Sequence, residues 1–355
     1  MTSMTENLPD VSARIFVGVD THKDTHHVAL TDHLGRDLDD REFASTAAGV
    51  TELIAWITAA GTVERVGVEG TGSYGSTLAT ALHNAEVEVV DVDRPDRRAR
   101  RAQGKSDPID ARSAARAALT GKATTTPKAH DGNVEAIRFL HNARHSCVKS
   151  RAEAITQLKS MIVNAPDRIR TELRDLTDAV LFATCRRFAP ATHRVLTLDE
   201  AVQNALRTIA IRIDSLTTEE RDLTKHIEAL VAEHAPQLLA RFGIGVNTAA
   251  QLLITVGDNP DRITTEAAFA HLCGVAPIQA SSGRTHRHRL NRGGDRQANR
   301  ALYIIALVRL RSDERTKRYR DRRLAEGKTP REIMRCLKRA IAREVFGLLV
   351  HPQHG

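Results

Sequence analysis

The 355-residue chain has a formal net charge of +8 and only 3% aromatic residues, which favours a polyanionic partner and argues against a single-strand stacking platform. Its four cysteines are scattered without a CxxC pair, which argues against a zinc site and against a disulfide framework. The N-terminus lacks the apolar core of a signal peptide, and the longest apolar run (301–308) is too short to cross a bilayer, so we expect a cytoplasmic protein.

Residues 14–122 alternate between short β-rich runs and stretches with helical spacing. Five runs predict strands at 14–20, 26–32, 40–45, 63–70 and 87–93. Three stretches predict helices at 47–61, 73–85 and 107–119. We therefore expect an α/β domain over 14–122 after a short tail, residues 1–13.

Acidic residues end two of these strands and begin one of the helices. Asp20 ends the first strand, Glu69 ends the fourth, and Asp107 and Asp110 lie at the start of the third helix. Taken alone, the two helical aspartates have a structural explanation, with Asp107 as the N-cap, Pro108 at the first position and Asp110 at the third. The order of elements instead matches the ribonuclease H-like arrangement, in which strands one and four are neighbours.

In that arrangement the four carboxylates converge, and two unit charges about 4 Å apart repel by roughly 4 kcal/mol at an effective dielectric of 20. Divalent cations relieve this repulsion, and Mg²⁺ accepts hard oxygen ligands together with phosphate. We therefore predict a two-metal Mg²⁺ site at Asp20, Glu69, Asp107 and Asp110 that acts on a phosphodiester. We expect no ligation by His22, His26 or His27, because alternation along a strand would distribute them over both faces.

The region 123–235 reads as helical after a polar linker at 120–133. Apolar residues follow steps of three and four along its second half, at Leu206, Ile209, Ile213, Leu216, Leu223, Ile227 and Leu230. Glu220 interrupts this seam. The spacing fits a coiled coil that mediates self-association, and it fits an amphipathic helix in a single-chain bundle equally well.

The region 236–355 is predicted to be mainly helical. A turn at Gly243 and Gly245 joins two apolar helices and resembles a helix-hairpin-helix element, whose backbone amides approach phosphate, although a plain helical hairpin also uses glycine. Two serines, Ser281 and Ser282, then precede Gly283 within an arginine-rich stretch. This stretch is either a solvated basic loop or a hydroxyl nucleophile among guanidinium groups.

Basic side chains in two segments are the candidates for contact with nucleic acid. They are Arg97, Arg98, Arg101 and Lys105 before the third helix, and Arg284, Arg292, Arg296 and Arg300 after the serines.

Five motifs resemble those of the DEDD-type insertion-sequence transposases, relatives of the Piv DNA invertase. They are GVDTHKDTHHVAL, VEGTGSYG, KSDPIDA, GVAPIQASSG and NRGGDRQANRAL, and they extend over nearly the whole chain from about residue 14. The resemblance implies a RuvC-like N-terminal domain with Asp20, Glu69, Asp107 and Asp110 as its acids. It also implies a helical middle region and a C-terminal transposase domain whose essential serine corresponds to Ser282.

The resemblance further implies double-stranded DNA substrates and a bridge RNA, encoded by the element, that pairs with donor and target DNA. It implies a phosphoserine intermediate in an oligomer where the acids of one protomer meet the serine of another. Two alternatives stay open: a RuvC-type junction nuclease that uses water, and a non-catalytic nucleic-acid-binding relative. The intact acids count against the second alternative, and the serine segment counts against the first.

Overall fold

The computed structural model describes residues 14–92, 106–190, 195–281 and 288–350. The chain forms two compact units, the first made of Met1–Gly132 and Val256–Thr265 and the second of Asn133–Thr255 and Glu266–Gly355. The first unit therefore extends past the predicted boundary at 122, and it also includes the segment Val256–Thr265, which is distant in sequence. The further division at 235 stays a prediction.

A five-stranded mixed sheet forms the centre of the first unit. Its strands are β1 (Arg14–Thr21), β2 (Thr25–Asp32), β3 (Asp37–Ala44), β4 (Thr62–Glu69) and β5 (Val89–Val92). The order across the sheet is β3-β2-β1-β4-β5. The first three strands form the predicted antiparallel meander, and β1 runs parallel to β4 at the centre. Strands one and four are thus neighbours, as the sequence predicts.

Three helices accompany this sheet: α1 (Ala47–Ala60), α2 (Ser76–Asn84) and α3 (Asp107–Leu119). The Thr46 side chain accepts a hydrogen bond from the Gly49 amide and so caps α1. The predicted apolar face of α1 buries Val50, Leu53 and Ile57 in the core that β1, β2, β4 and α2 also line. The segment 256–265 is fixed by Asn259, whose side-chain amide donates to the Pro127 carbonyl at 2.9 Å.

The second unit is mostly helical. Its helices are α4 (Asn133–Val163), α5 (Asp167–Leu173), α6 (Asp178–Arg187), α7 (Leu198–His234), α8 (Pro236–Leu239), α9 (Val246–Val256), α10 (Glu266–Leu272), α11 (Arg296–Ser312), α12 (Glu314–Ala325) and α13 (Pro330–Leu349). A short hairpin of β6 (Pro277–Gln279) and β7 (His288–Leu290) separates α10 from α11. Within the described residues, no helix combines the length and the apolar character that a membrane span requires.

The apolar seam of α7 lies against α4 of the same chain. Leu206 and Ile213 share a buried core with Leu158 and Ile162 of α4. Glu220, the polar residue in the seam, forms ion pairs with Arg144 and Arg151 of α4, each at 2.6 Å, and accepts a hydrogen bond from Arg144. The seam therefore serves an intramolecular helix pair, one of the two alternatives that its spacing allowed. Self-association through the rest of the seam stays a prediction.

The predicted pair of apolar helices around Gly243 is asymmetric. The helix before the turn, α8, has only four residues, because Pro236 lacks a backbone N–H and separates this turn from the end of α7. Gly243 has a φ of 84°, which glycine adopts without strain, and the Gly245 amide donates to the Thr248 hydroxyl at 3.1 Å. The glycine turn therefore forms as expected. The helix directly before it is a single turn, and the nearest long helix on that side is α7.

Candidate active site

Asp20 and Glu69 lie at the same edge of the sheet. The last paired residues of β1 and β4 are Val19 and Val68, so the two acids follow side by side on parallel strands. The Thr21 hydroxyl donates to the Glu69 carbonyl at 2.7 Å and ties these strand ends together. Asp20 is only 7% exposed, and Glu69 is half-buried. The predicted convergence of these two acids is therefore supported by the register of the sheet.

Helix α3 lies unusually close to both central strands. A Cβ atom built on Gly18 of β1 would come within 2.0 Å of the Ala111 carbonyl oxygen, and one on Gly67 of β4 within 2.6 Å of the Ala114 carbonyl oxygen. The helix meets these glycines with small side chains, since Ala111, Ala114 and Ala115 are all buried. Paired glycines and a row of alanines thus let the start of α3 approach the acidic strand ends.

The start of α3 contains the other two acids. The helix begins at Asp107 with Ser106 as its N-cap residue, so the expected assignment of Asp107 as the cap is wrong by one position. Asp107 is half-buried, whereas Asp110 is only 2% exposed. A carboxylate is rarely buried so completely unless it has a partner that offsets its desolvation. Both acids of α3 thus lie in the part of the helix that approaches the strand ends.

His22 lies between two of the predicted metal ligands. Its Nδ1 is 4.0 Å from Asp20 Oδ2, and its Nε2 is 4.0 Å from Asp107 Oδ1. One potential ligand atom from each of the three residues lies within 4.8 Å of the other two. The expectation that excluded His22 rested on strand alternation, which does not apply to this residue because β1 ends at Thr21 and His22 begins the following turn. Metal binding by His22 is therefore a proposal from its position.

This group fits a divalent cation. One ligand atom from each of Asp20, His22 and Asp107 lies within 4.8 Å of the other two, and opposite ligands of an octahedral ion with bonds of about 2.1 Å lie about 4.2 Å apart, so a small inward movement of these side chains would enclose an ion. Only one of the two imidazole nitrogens of His22 would bind that ion. Two carboxylates and an imidazole are compatible with Mg²⁺ or Mn²⁺, and carboxylate oxygens are the ligands that both ions prefer. Asp20, Asp107 and His22 would hold such an ion, with Glu69 on the neighbouring strand and Asp110 one turn further along α3.

The hairpin of β6 and β7 lies next to Ser281 in the second unit. Gln279 pairs with His288, so the chain leaves and re-enters the hairpin at adjacent positions. Ser281 is exposed and lies two residues beyond Gln279. Ser282 and Arg284 lie outside the described residues, as do Arg97, Arg98, Arg101 and Lys105.

The NRGGDRQANRAL motif has a structural role that sequence reasoning missed. A Cβ atom on Gly294 would lie 2.3 Å from the Gly274 amide nitrogen, so the two glycines allow a close backbone crossing beside the hairpin. Asp295 caps α11 by accepting from the Gln297 and Ala298 amides, and it also accepts from the Thr255 hydroxyl at 2.8 Å. The sequence contained a signal for this cap, because Asp295 stands directly before a stretch with helical spacing.

The arginines of this motif remain candidates for contact with nucleic acid. Arg292, Arg296 and Arg300 are all exposed, and the last two lie one turn apart on α11. Their guanidinium groups are therefore available to a phosphate backbone.

Two family models match separate parts of the chain. A model described as a transposase, of the DEDD type named after IS110, matches residues 17–165. A second model, described as "Transposase IS116/IS110/IS902 family", matches residues 235–321. The first match contains all four acids, and the second contains both serines and the β6–β7 hairpin.

Curated relatives from two insertion elements are also similar. The chain is 35% identical over 144 residues to an uncharacterized 43.6 kDa protein of insertion element IS110 from Streptomyces coelicolor, a match that covers 40% of this chain and 35% of that protein. It is 28% identical over 170 residues to an uncharacterized 42 kDa protein of insertion element IS900 from Mycobacterium paratuberculosis, covering 47% and 43% respectively. The matches thus span less than half of either relative. With both family models, they show that the chain belongs to the IS110 family of transposases.

Proposed function

We propose that the protein is a DNA transposase that excises and inserts an insertion sequence. The observation that carries this proposal is the meeting of Asp20 and Asp107 around His22 at one edge of the sheet, within the region that the DEDD-type transposase model matches. Glu69 and Asp110 extend the group, so that two strand ends and one helix start contribute acids. This arrangement suits chemistry on a phosphodiester.

The sheet domain is proposed to be ribonuclease H-like and RuvC-like. Support comes from the strand order β3-β2-β1-β4-β5 and from the parallel pairing of β1 with β4. In such a domain the acids on β1, β4 and α3 act as one group. A bound Mg²⁺ would stabilise charge on the phosphodiester oxygens, and the burial of Asp20 and Asp110 keeps two of its proposed ligands in fixed positions.

Ser282 is proposed as the nucleophile, with Ser281 as the adjacent alternative. The hydroxyl oxygen attacks phosphorus, the bond to the leaving 3′ or 5′ oxygen of the DNA breaks, and that oxygen takes a proton. A serine hydroxyl is a weak nucleophile at neutral pH and needs nearby positive charge or a base. The serines belong to a segment with Arg284, Arg287 and Arg289, which supplies positive charge along the chain.

Guidance by an element-encoded bridge RNA, and an oligomer in which acids and serine come from different protomers, complete the proposal. Both rest on the family to which the chain belongs and on its net charge of +8. Sequencing the RNA that copurifies with the protein would identify the guide. A sample free of structured RNA that still recombines its element would count against guidance.

A RuvC-type junction nuclease and a non-catalytic binding protein are the alternative functions. The test is covalent capture on a suicide DNA substrate that traps a protein–DNA adduct. We expect an adduct with the wild-type protein and with Ser281→Ala, and none with Ser282→Ala, which still binds DNA. Loss of the adduct in Ser281→Ala alone would move the nucleophile by one residue. Cleavage without any adduct would favour the nuclease, and DNA binding without cleavage would favour the binding protein.

A further inference from the structure

The second unit contains a cleft of about 410 Å³ between α13 and the β6–β7 hairpin. Apolar groups form part of its wall, among them Val275, Pro277, Leu290 and Ala340. Leu290 is 51% exposed, which leaves an apolar surface open to a ligand. None of the residues that line this cleft belongs to the proposed metal site or to the candidate arginines Arg284, Arg292, Arg296 and Arg300.

Five cationic side chains line the same cleft. Arg289 comes from β7, and the other four, Arg335, Lys338, Arg339 and Arg343, come from α13. The spacing of the α13 residues places them on one side of the helix. From Arg335 to Arg343 this row extends for about 12 Å at a rise of 1.5 Å per residue, which is longer than a single phosphate group.

One carboxylate compensates only part of this charge. Glu266 of α10 accepts a hydrogen bond from Arg339 at 2.8 Å and lies 3.8 Å from Arg343. In the described parts of the chain, no acidic side chain forms an ion pair with Arg335, Lys338 or Arg289. The cleft therefore carries an excess of positive charge that a polyanion would neutralise.

Lys338 is held in place inside the cleft. Its ammonium group donates to Asn299 Oδ1 at 2.8 Å, and the Asn299 amide nitrogen donates to the Cys273 and Gly274 carbonyls at 3.0 Å. Burial lowers the pKa of Lys338, and the nearby Arg335 lowers it further. An anion bound beside this ammonium would favour its charged form.

From these contacts we infer that the cleft binds the sugar–phosphate backbone of a DNA strand. Arg335, Lys338 and Arg289 contact the phosphates, and the sugars lie on the apolar wall at Leu290. This inference rests on the proposed function and adds a binding surface to it. The same hairpin leads directly to Ser281, so a strand in the cleft lies close to that serine.

Cys336 provides a native probe of the cleft. It lines the cleft and is the one cysteine of the four that is not buried. We expect a saturating DNA duplex to slow its alkylation by iodoacetamide several-fold, whereas millimolar inorganic phosphate leaves the rate unchanged. Protection by phosphate alone would show a small-anion site and overturn the inference. Protection by RNA but not by DNA would overturn the choice of DNA.

Binding of a labelled duplex, followed by fluorescence anisotropy, tests the cationic residues. Each lost phosphate contact should reduce the salt slope by about 0.9, which corresponds to roughly eightfold weaker binding at 0.1 M salt. We expect this loss in Arg335→Gln and a larger loss in Arg335→Gln with Lys338→Gln. The matched control removes the same charges at exposed positions of α4 and α7, with Lys149→Gln and Arg212→Gln, and should bind more tightly than the cleft variant.

Equal affinity of the cleft variant and the control would overturn the inference. If the cleft variant binds DNA as the control does and forms the covalent adduct at the wild-type rate, the cleft has no role in DNA binding and the proposed function is unaffected. A wild-type protein that binds no DNA and forms no adduct would instead contradict the proposed function. Circular dichroism of both double variants confirms that they are folded.

Discussion

Gly18 of β1 lies directly beneath Ala111 of α3, with room for a hydrogen atom but not for a methyl group. A Cβ atom at Gly18 would sit 2.0 Å from the Ala111 carbonyl oxygen and 2.1 Å from the Ala115 amide nitrogen. Both neighbours are backbone atoms, so relief requires movement of the whole helix. The same movement would separate Asp107 and Asp110 from the strand that carries Asp20.

Gly18→Ala should therefore lower the free energy of unfolding by about 3 kcal/mol or more, because backbone atoms cannot yield to the added methyl group. Denaturant unfolding followed by circular dichroism measures this change. Gly72→Ala is the control, since a Cβ atom there has no neighbour within 4 Å. Equal stability of the two variants would mean that α3 does not lie against the sheet as described.

The ion pairs of Glu220 should stabilise the α4–α7 pair. Glu220→Ala leaves Arg144 and Arg151 without their shared acceptor, and the loss of charged hydrogen bonds should cost about 1–3 kcal/mol in unfolding free energy. Glu228→Ala, on the exposed side of α7, should change little. Similar values for both variants would contradict this pairing of helices.

Self-association through α7 is a separate prediction. Leu216 and Leu223 are only half-buried, so part of the seam stays available to a second chain. We expect a Leu216→Glu, Leu223→Glu variant to lose mass in light scattering, because two charges would disrupt an apolar interface. Arg221→Glu is the control on the exposed face. A folded double variant with wild-type mass would show that the seam serves only the intramolecular pair.

Stability should fall at acidic pH through His26. This side chain is 1% exposed, and burial lowers its pKa below the ordinary value of about 6.5. The unfolded chain therefore takes up a proton at a higher pH than the folded chain does. As a result, the free energy of unfolding is not reduced by His26 above pH 6.5, and it decreases as the pH falls below that value. His26→Leu should weaken this decrease between pH 7.5 and 5. An unchanged pH dependence would contradict a neutral, buried His26.

Much of the first unit follows from local patterns in the sequence. The alternation of apolar and polar residues, together with turn residues, predicted all five strands to within a few residues. The ribonuclease H-like order of elements then placed the first strand beside the fourth, and so Asp20 beside Glu69. The contribution of Gly18 and Gly67 could not be predicted, because a glycine in a strand does not reveal which element approaches it. His22 was missed for a different reason, since strand alternation was applied to a residue that follows the predicted strand 14–20 and lies in the turn before β2.

In the second unit, spacing alone could not decide the partner of α7. The steps of three and four describe an apolar stripe, and the same stripe can bury itself against a second chain or against α4. The pairing of Glu220 with Arg144 and Arg151 depends on residues about 70 positions away, which no local pattern connects. The cationic row on α13 was overlooked because its charges are interleaved with the core residues Leu337 and Ile341.

The central claim is that the acids at the ends of β1 and β4 and at the start of α3 form one divalent-metal site. Titration of the protein with Mn²⁺, followed by the electron paramagnetic resonance signal of the free ion, tests this claim without any requirement for DNA or RNA. We predict that wild-type protein removes free Mn²⁺ from solution, and that Asp20→Asn binds it about tenfold or more weakly. Asp24→Asn, in the exposed turn four residues later, should bind like wild type. Equal Mn²⁺ affinity in Asp20→Asn and wild type, with both proteins folded, would contradict the account.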